Sequence, residues 1–144
     1  MIPQETIVAL ATPSGAGAIA IIRLSGTDAI TVASEVFQSV SGKDITKQKT
    51  HTIYLGHIID NGKIYDQVLL SIFKGPNSYT GENVVEISCH GSTFIQQQII
   101  QLLLRKGATM AKAGEFTLRA FLNGKLVMFF GMKKLIKFSL ISLP

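Results

Sequence analysis

Cysteine is all but absent: Cys89 is the single one in 144 residues. That excludes a disulfide-stapled scaffold and any zinc site built from several thiolates. Charge is sparse as well. With 16% charged residues and a mean hydropathy of +0.34, the chain is not intrinsically disordered. The opening residues, Met1 to Thr6, include Glu5 and lack the basic-then-apolar order of a signal peptide, so a cytoplasmic location is expected.

Acidic residues are missing from the C-terminal end, and this shapes the net charge of +5. Residues 1–126 hold eleven Lys/Arg against all nine acids, a balance of +2, whereas residues 127–144 add Lys133, Lys134 and Lys137 unopposed. The pI of about 9.5 is therefore partly a property of the tail, and no basic nucleic-acid patch is read for the body. A P-loop is also lacking. The three Gly-Lys pairs, Gly42-Lys43, Gly62-Lys63 and Gly124-Lys125, are followed by Asp44, Ile64 and Leu126, never by the hydroxyl that holds magnesium. This chain alone is not expected to hydrolyse GTP or ATP.

What is present is enough apolar material, 47% of residues, for one domain with a real core. Thr6–Leu10 and Ala18–Leu24 read as strands separated by a Pro/Gly turn. A helix over about 28–39, capped by Thr27 or Asp28, follows from the spacing of Ile30, Ala33, Val36, Phe37 and Val40. His51–Ile59 and Lys63–Phe73 flank Asp60-Asn61-Gly62, a hairpin signal. Val84–His90 alternates as a strand. Ser92 starts a helix to about Lys106 with Phe94, Ile95, Ile99, Leu102 and Leu103 on one stripe, and Gly114–Leu122 is a further helix. Interleaved elements around an antiparallel hairpin predict an α+β fold, a mixed or antiparallel sheet with flanking helices.

Gly15-Ala16-Gly17 fits a loose dinucleotide-binding pattern, but Ile19, Ile21 and Ile22 place a strand where that motif needs a helix, so it reads as a strand-to-strand turn. His51, His57 and His90 have no ligand spacing, and Cys89 and His90 point to opposite faces of a strand, so no metal site and no catalytic nucleophile is assigned. Glu86 stands out as a carboxylate in an apolar strand, which costs stability unless paired. It is read either as a salt bridge or solvent-facing group, or as an acceptor for a paired N–H edge of a purine or pterin, with Arg23 as a partner.

Several runs together carry a family resemblance: Glu5-Thr6-Ile7-Val8-Ala9, Ile22-Arg23-Leu24-Ser25-Gly26, Gly75-Pro76-Asn77-Ser78-Tyr79-Thr80-Gly81-Glu82, Cys89-His90-Gly91, and Gly114-Glu115-Phe116-Thr117-Leu118-Arg119-Ala120-Phe121-Leu122-Asn123-Gly124-Lys125. Over residues 5–126 the chain resembles the N-terminal domain of the tRNA modification GTPase family (MnmE/TrmE). The resemblance implies a dimerising domain folded like the tetrahydrofolate-binding domains of folate-dependent aminomethyltransferases. It places folate contacts on Arg23, Glu86 and Lys125, for a 5-formyl- or 5,10-methylene-tetrahydrofolate, and suggests that the Gly15–Gly17 backbone approaches the ring. In the intact family protein, a GTPase domain absent here uses GTP, magnesium and potassium. With an FAD-containing partner, that protein adds an aminomethyl-type group to a tRNA wobble uridine. Contact of this chain with tRNA is thus expected to be indirect. A dimerisation-only module and an aminomethyltransferase-type enzyme are the alternatives.

The resemblance stops at Leu126, giving a domain over 1–126 and a divergent basic, apolar tail over 127–144. A frameshifted or truncated gene product would explain the break. Lys133, Lys134 and Lys137 interrupt the tail, which is too short of uncharged residues to span a bilayer and reads as an extension with no membrane role.

Overall fold

A computed structural model describes residues 5–125. The tail over 127–144 lies outside the described residues. Seven strands, β1 (Ile7–Leu10), β2 (Ile19–Ser25), β3 (Phe37–Ser39), β4 (Thr52–Asp60), β5 (Lys63–Phe73), β6 (Val84–His90) and β7 (Thr109–Met110), form one sheet in the order β3-β4-β5-β6-β2-β1-β7. All neighbours are antiparallel except β1 and β7, so the sheet is mixed and the fold α+β, as expected. Three helices accompany it: α1 (Ala29–Ser34), α2 (Thr93–Arg105) and α3 (Glu115–Leu122). Among the described residues no helix is long and apolar enough to cross a membrane.

Strand alternation divides the sheet into two chemically different faces. On one face the cross-strand rows Val8–Leu24–Val85 and Ile22–Ile87–Leu70 are fully buried beneath α1 and α2. Each such side chain contributes about 1.5–3 kcal/mol by leaving water. The opposite face carries Ile19, Ile21, Arg23 and Ser25 on β2, with Glu86, Ser88 and His90 beside them on β6. Helix α3 and the loop over 75–83 cover only its Ser25 end. Ile19, Ile53, Leu55 and Leu69 remain exposed beyond them.

The hairpin forms where Asn61-Gly62 calls for it. Asn61 and Gly62 have φ of 50° and 77°, the two positive values of a type I′ turn, between the paired Asp60 and Lys63. Helix α2 also starts as expected, the Ser92 hydroxyl accepting from the Ile95 N–H at 3.1 Å.

Two expectations are corrected. The helix over 28–39 ends at Ser34, and Asp28 makes no side-chain cap. Phe37–Ser39 instead pairs with β4, Phe37 opposite Ile58, so ladder hydrogen bonds override a helical pattern rich in β-branched Thr31, Val32 and Val36. Val40, expected on the helix's apolar stripe, is exposed. In α2 the expected stripe is buried at Ile99, Leu102 and Leu103, but Phe94 is 71% exposed and Gln96 is buried at 2%. Burial of Gln96 is tolerated because its Nε2 donates to the carbonyls of Gly15 and Gly91, both at 3.1 Å.

Candidate functional site

Arg23 and Glu86 are direct cross-strand partners in the β2–β6 ladder. The guanidinium donates from Nε at 2.9 Å and from Nη2 at 2.7 Å, both to Oε2 of Glu86. Arg23 is buried, whereas the Glu86 side chain is about a quarter exposed. Oε1 of Glu86 has no hydrogen-bond partner among the described residues. The Arg23 guanidinium sits 5.2 Å from the Tyr79 ring centroid and 5.6 Å from that of Phe116, so two aromatic faces and a carboxylate hold it. On its other side Arg23 lines a cavity of about 250 Å³ floored by Ala9 and walled by Phe116 and Gly114.

Tyr79 belongs to the loop over 75–83 and Phe116 to α3, and a single buried cation ties these two segments down. Arg119 is 0% exposed. Its Nη1 donates to the Glu5 carbonyl at 2.7 Å and to Glu82 at 3.1 and 3.3 Å, and its Nη2 to Glu115 at 3.2 Å. Glu82 in turn accepts from the Ser25 hydroxyl at 2.8 Å, and Ser25 meets Thr80 at 2.6 Å. Nε of Arg119 is buried without a partner among the described residues. The long motifs thus meet one another: the Gly75–Glu82 run, Ser25-Gly26 and the Gly114–Lys125 run converge on this guanidinium. Sequence reasoning assigned Arg119 no role, since an arginine on an amphipathic helix reads as a surface group. Its position one turn after Glu115 on a helix was the available signal.

Of the three residues expected at a ligand, the structure brings Arg23 and Glu86 together. Lys125, just after α3, makes no hydrogen bond or ion pair with either among the described residues. Its N–H donates to the Ala120 carbonyl at 2.8 Å, and its stem runs beside Gly81. Gly81, at φ +83°, has no room for a side chain, since a Cβ there would lie 2.7 Å from Cβ of Asn123. The Asn123 amide donates to the Thr80 carbonyl at 2.9 Å and closes the loop onto α3.

The Gly15–Gly17 turn joins antiparallel β1 and β2, with no helix following it. Gly17 N–H donates to the Gly91 carbonyl at 3.0 Å, which puts the turn at the His90 end of β6. There Asp66, a residue sequence reasoning passed over, accepts from the His90 backbone N–H at 2.8 Å and from its Nδ1 at 2.7 Å. Cys89 next to it faces the core, and burial, aided by the Asp66 charge, pushes its thiol up to about 11. Among the described residues no group of three metal-ligating side chains occurs.

Residues 6–125 match the family described as GTP-binding protein TrmE N-terminus. Over 126 residues, 88% of the chain, the sequence is 80% identical to a tRNA modification GTPase MnmE of Flavobacterium psychrophilum and 74% identical to one of Flavobacterium johnsoniae. It is 53% identical over 125 residues to one of Moorella thermoacetica. In each case the match covers 27% of the relative, so the chain spans about a quarter of the length of the curated relatives it matches. The chain belongs to the TrmE N-terminus family, the N-terminal domain of tRNA modification GTPases.

Proposed function

We propose that this chain binds a reduced folate and self-associates, as one domain of a tRNA modification GTPase. The single observation that carries the folate reading is the state of Glu86. One of its oxygens is fixed by Arg23, the other has no hydrogen-bond partner among the described residues, and the side chain is about a quarter exposed. A carboxylate so oriented accepts the adjacent amino and ring N–H groups of a pterin. Arg23 then acts as a positioning residue, because its Nε and Nη2 groups are engaged by Glu86 and its guanidinium lies against Tyr79 and Phe116, while Lys125 adds charge from the Gly81 loop. The fit is with 5-formyl- or 5,10-methylene-tetrahydrofolate, and the fold is read as that of the folate-binding domains of aminomethyltransferases. The folate supplies the one-carbon unit, and the domain binds and orients its carrier.

In the intact protein the remaining chain would bring GTP, magnesium and potassium. An FAD-containing partner would join it in modifying the wobble uridine, with tRNA reaching this domain indirectly. Residues 1–126 form the folate-binding domain in this reading and 127–144 a divergent tail. This chain alone turns over neither nucleotide nor folate.

Self-association is favoured by a different observation. Val40, Ile53 and Leu55 are exposed apolar residues grouped on the β3–β4 side of the sheet, Ile53 lying two strands from Glu86 in the same cross-strand row. A module kept only for dimerisation is the second reading. Isothermal titration of 5-formyl-tetrahydrofolate, with light scattering on the same samples, separates the two. The folate reading expects binding that weakens at least about tenfold in Glu86→Ala, the loss of a charge-assisted pair. A dimer that binds no folate supports the second reading.

A further inference from the structure

The chain contains two Asn-Gly dipeptides, Asn61-Gly62 and Asn123-Gly124, and the structure holds them in opposite ways. Asn61 and Gly62 are the exposed tip of the β4–β5 hairpin, just beyond the paired Asp60 and Lys63. Neither the Asn61 side-chain amide nor the Gly62 N–H has a hydrogen-bond partner among the described residues. Nothing lies within 4 Å of where a Cβ would stand at Gly62. Asn123 and Gly124, at the end of α3, are tied on both sides of the shared peptide bond. Asn123 Nδ2 donates to the carbonyls of Thr80 at 2.9 Å and Arg119 at 3.0 Å, and the Gly124 N–H donates to the Phe121 carbonyl at 3.0 Å.

An asparagine followed by glycine loses its amide by a reaction that needs only water. The glycine nitrogen attacks Cγ of the asparagine, a C–N bond closes a cyclic imide, and ammonia leaves. Water then opens the imide. Opening at the side-chain carbonyl gives aspartate, whereas opening at the main-chain carbonyl gives isoaspartate, in which the chain runs through the former side chain. The attack requires an unengaged nitrogen, a side-chain amide able to rotate onto it, and no Cβ in the way. Asn61-Gly62 meets every one of these conditions, while at Asn123-Gly124 three hydrogen bonds must break first.

We propose that Asn61 is a modification site: in the folded chain it converts to aspartate and isoaspartate, while the identical dipeptide at Asn123 is protected. Either product places a new carboxylate beside Asp60, which is ion-paired with Lys106 at the end of α2 at 3.1 Å. Isoaspartate also adds a backbone atom to a two-residue turn, and the length of that turn sets the register of β4 on β5. The modification therefore acts on the pairing of these two strands. An isoaspartyl-directed carboxyl methyltransferase is the class of enzyme that its product would recruit.

The test incubates the native wild-type chain at mildly alkaline pH beside a sample unfolded in urea. Each asparagine is followed by peptide mass mapping and by enzymatic methylation of isoaspartyl carboxylates. In the native chain Asn61 is expected to react at least about tenfold faster than Asn123, a ratio that the hydrogen bonds holding Asn123 suffice to impose. In urea the two are expected to react at similar rates. Equal rates in the native chain, or faster reaction at Asn123, would overturn the proposal. So would a native chain that keeps Asn61 intact while the unfolded sample reacts, because the turn would then be protective. A difference that persists unchanged in urea would also overturn it, since local sequence and not the fold would be its cause.

Discussion

Arg23 and Glu86 meet across the β2–β6 ladder with two guanidinium N–H groups on one carboxylate oxygen, at 2.9 and 2.7 Å. A bidentate pair would normally engage both oxygens. Here the geometry leaves Oε1 of Glu86 unused among the described residues. The pair is therefore both a structural brace and a half-filled acceptor.

Breaking the pair from the arginine side is expected to be worse than neutralising the acid. Arg23→Met leaves a partly buried carboxylate without its cation and empties the space between Tyr79 and Phe116. A loss of about 2–4 kcal/mol in urea unfolding is expected. Glu86→Gln keeps shape and an acceptor oxygen and should cost less than half of that. Equal losses in the two variants would contradict the role assigned to Arg23.

Arg119 is expected to be the most sensitive polar position in the domain. Arg119→Met strands Glu82 and Glu115, the two carboxylates it bridges, and removes the donor to the Glu5 carbonyl. A destabilisation of about 3–5 kcal/mol follows, enough to unfold a marginal domain. The Tyr79 loop and α3 should lose amide-exchange protection first, because the guanidinium is what joins them. A variant as stable as wild type would show that the buried cation is not the brace described.

Gly81→Ala combines a positive φ with a collision against Asn123. A cost of about 1–3 kcal/mol is expected, read as a lowered midpoint of thermal unfolding. Gly62→Ala, also at positive φ but with nothing within reach of a Cβ, should cost about 1 kcal/mol. The ordering of the two variants checks the packing claim independently of the conformational one.

Cys89 is expected to resist alkylation at pH 8 in the folded chain and to react on unfolding. Its thiol is held up at about 11, against an ordinary 9.0, so the folded state favours the protonated form. The sign follows directly: this contribution to stability is complete below pH 9 and is lost as pH rises toward 11. Rapid labelling of native protein at pH 8 would contradict a buried thiol.

The parts of the fold that were legible from sequence are those decided locally. Asn61-Gly62 dictates its own turn, and Ser92 its own helix cap, whatever surrounds them. Phe37 was read into a helix because its spacing fits one, and only the distant β4 makes it a strand. Gln96 and Phe94 exchange places because two carbonyls from remote loops satisfy the glutamine amide. At the site, Glu86 and Arg23 were conspicuous as charges in apolar strands. Their pairing was one of two open readings until the register placed them opposite each other. Asp66 gave no such signal and Arg119 only its spacing from Glu115, since their burial depends on further partners far away in the chain.

The most direct test of the central claim is an amide chemical-shift map of the isotope-labelled chain titrated with 5-formyl-tetrahydrofolate. The account predicts saturable shifts that are largest at Arg23, Glu86 and the register neighbour Ser71, and absent in Glu86→Ala at the same ligand concentration. Shifts confined to the cavity over β1, at Ala9, Ala111 and Gly114, or unchanged by Glu86→Ala, would contradict it.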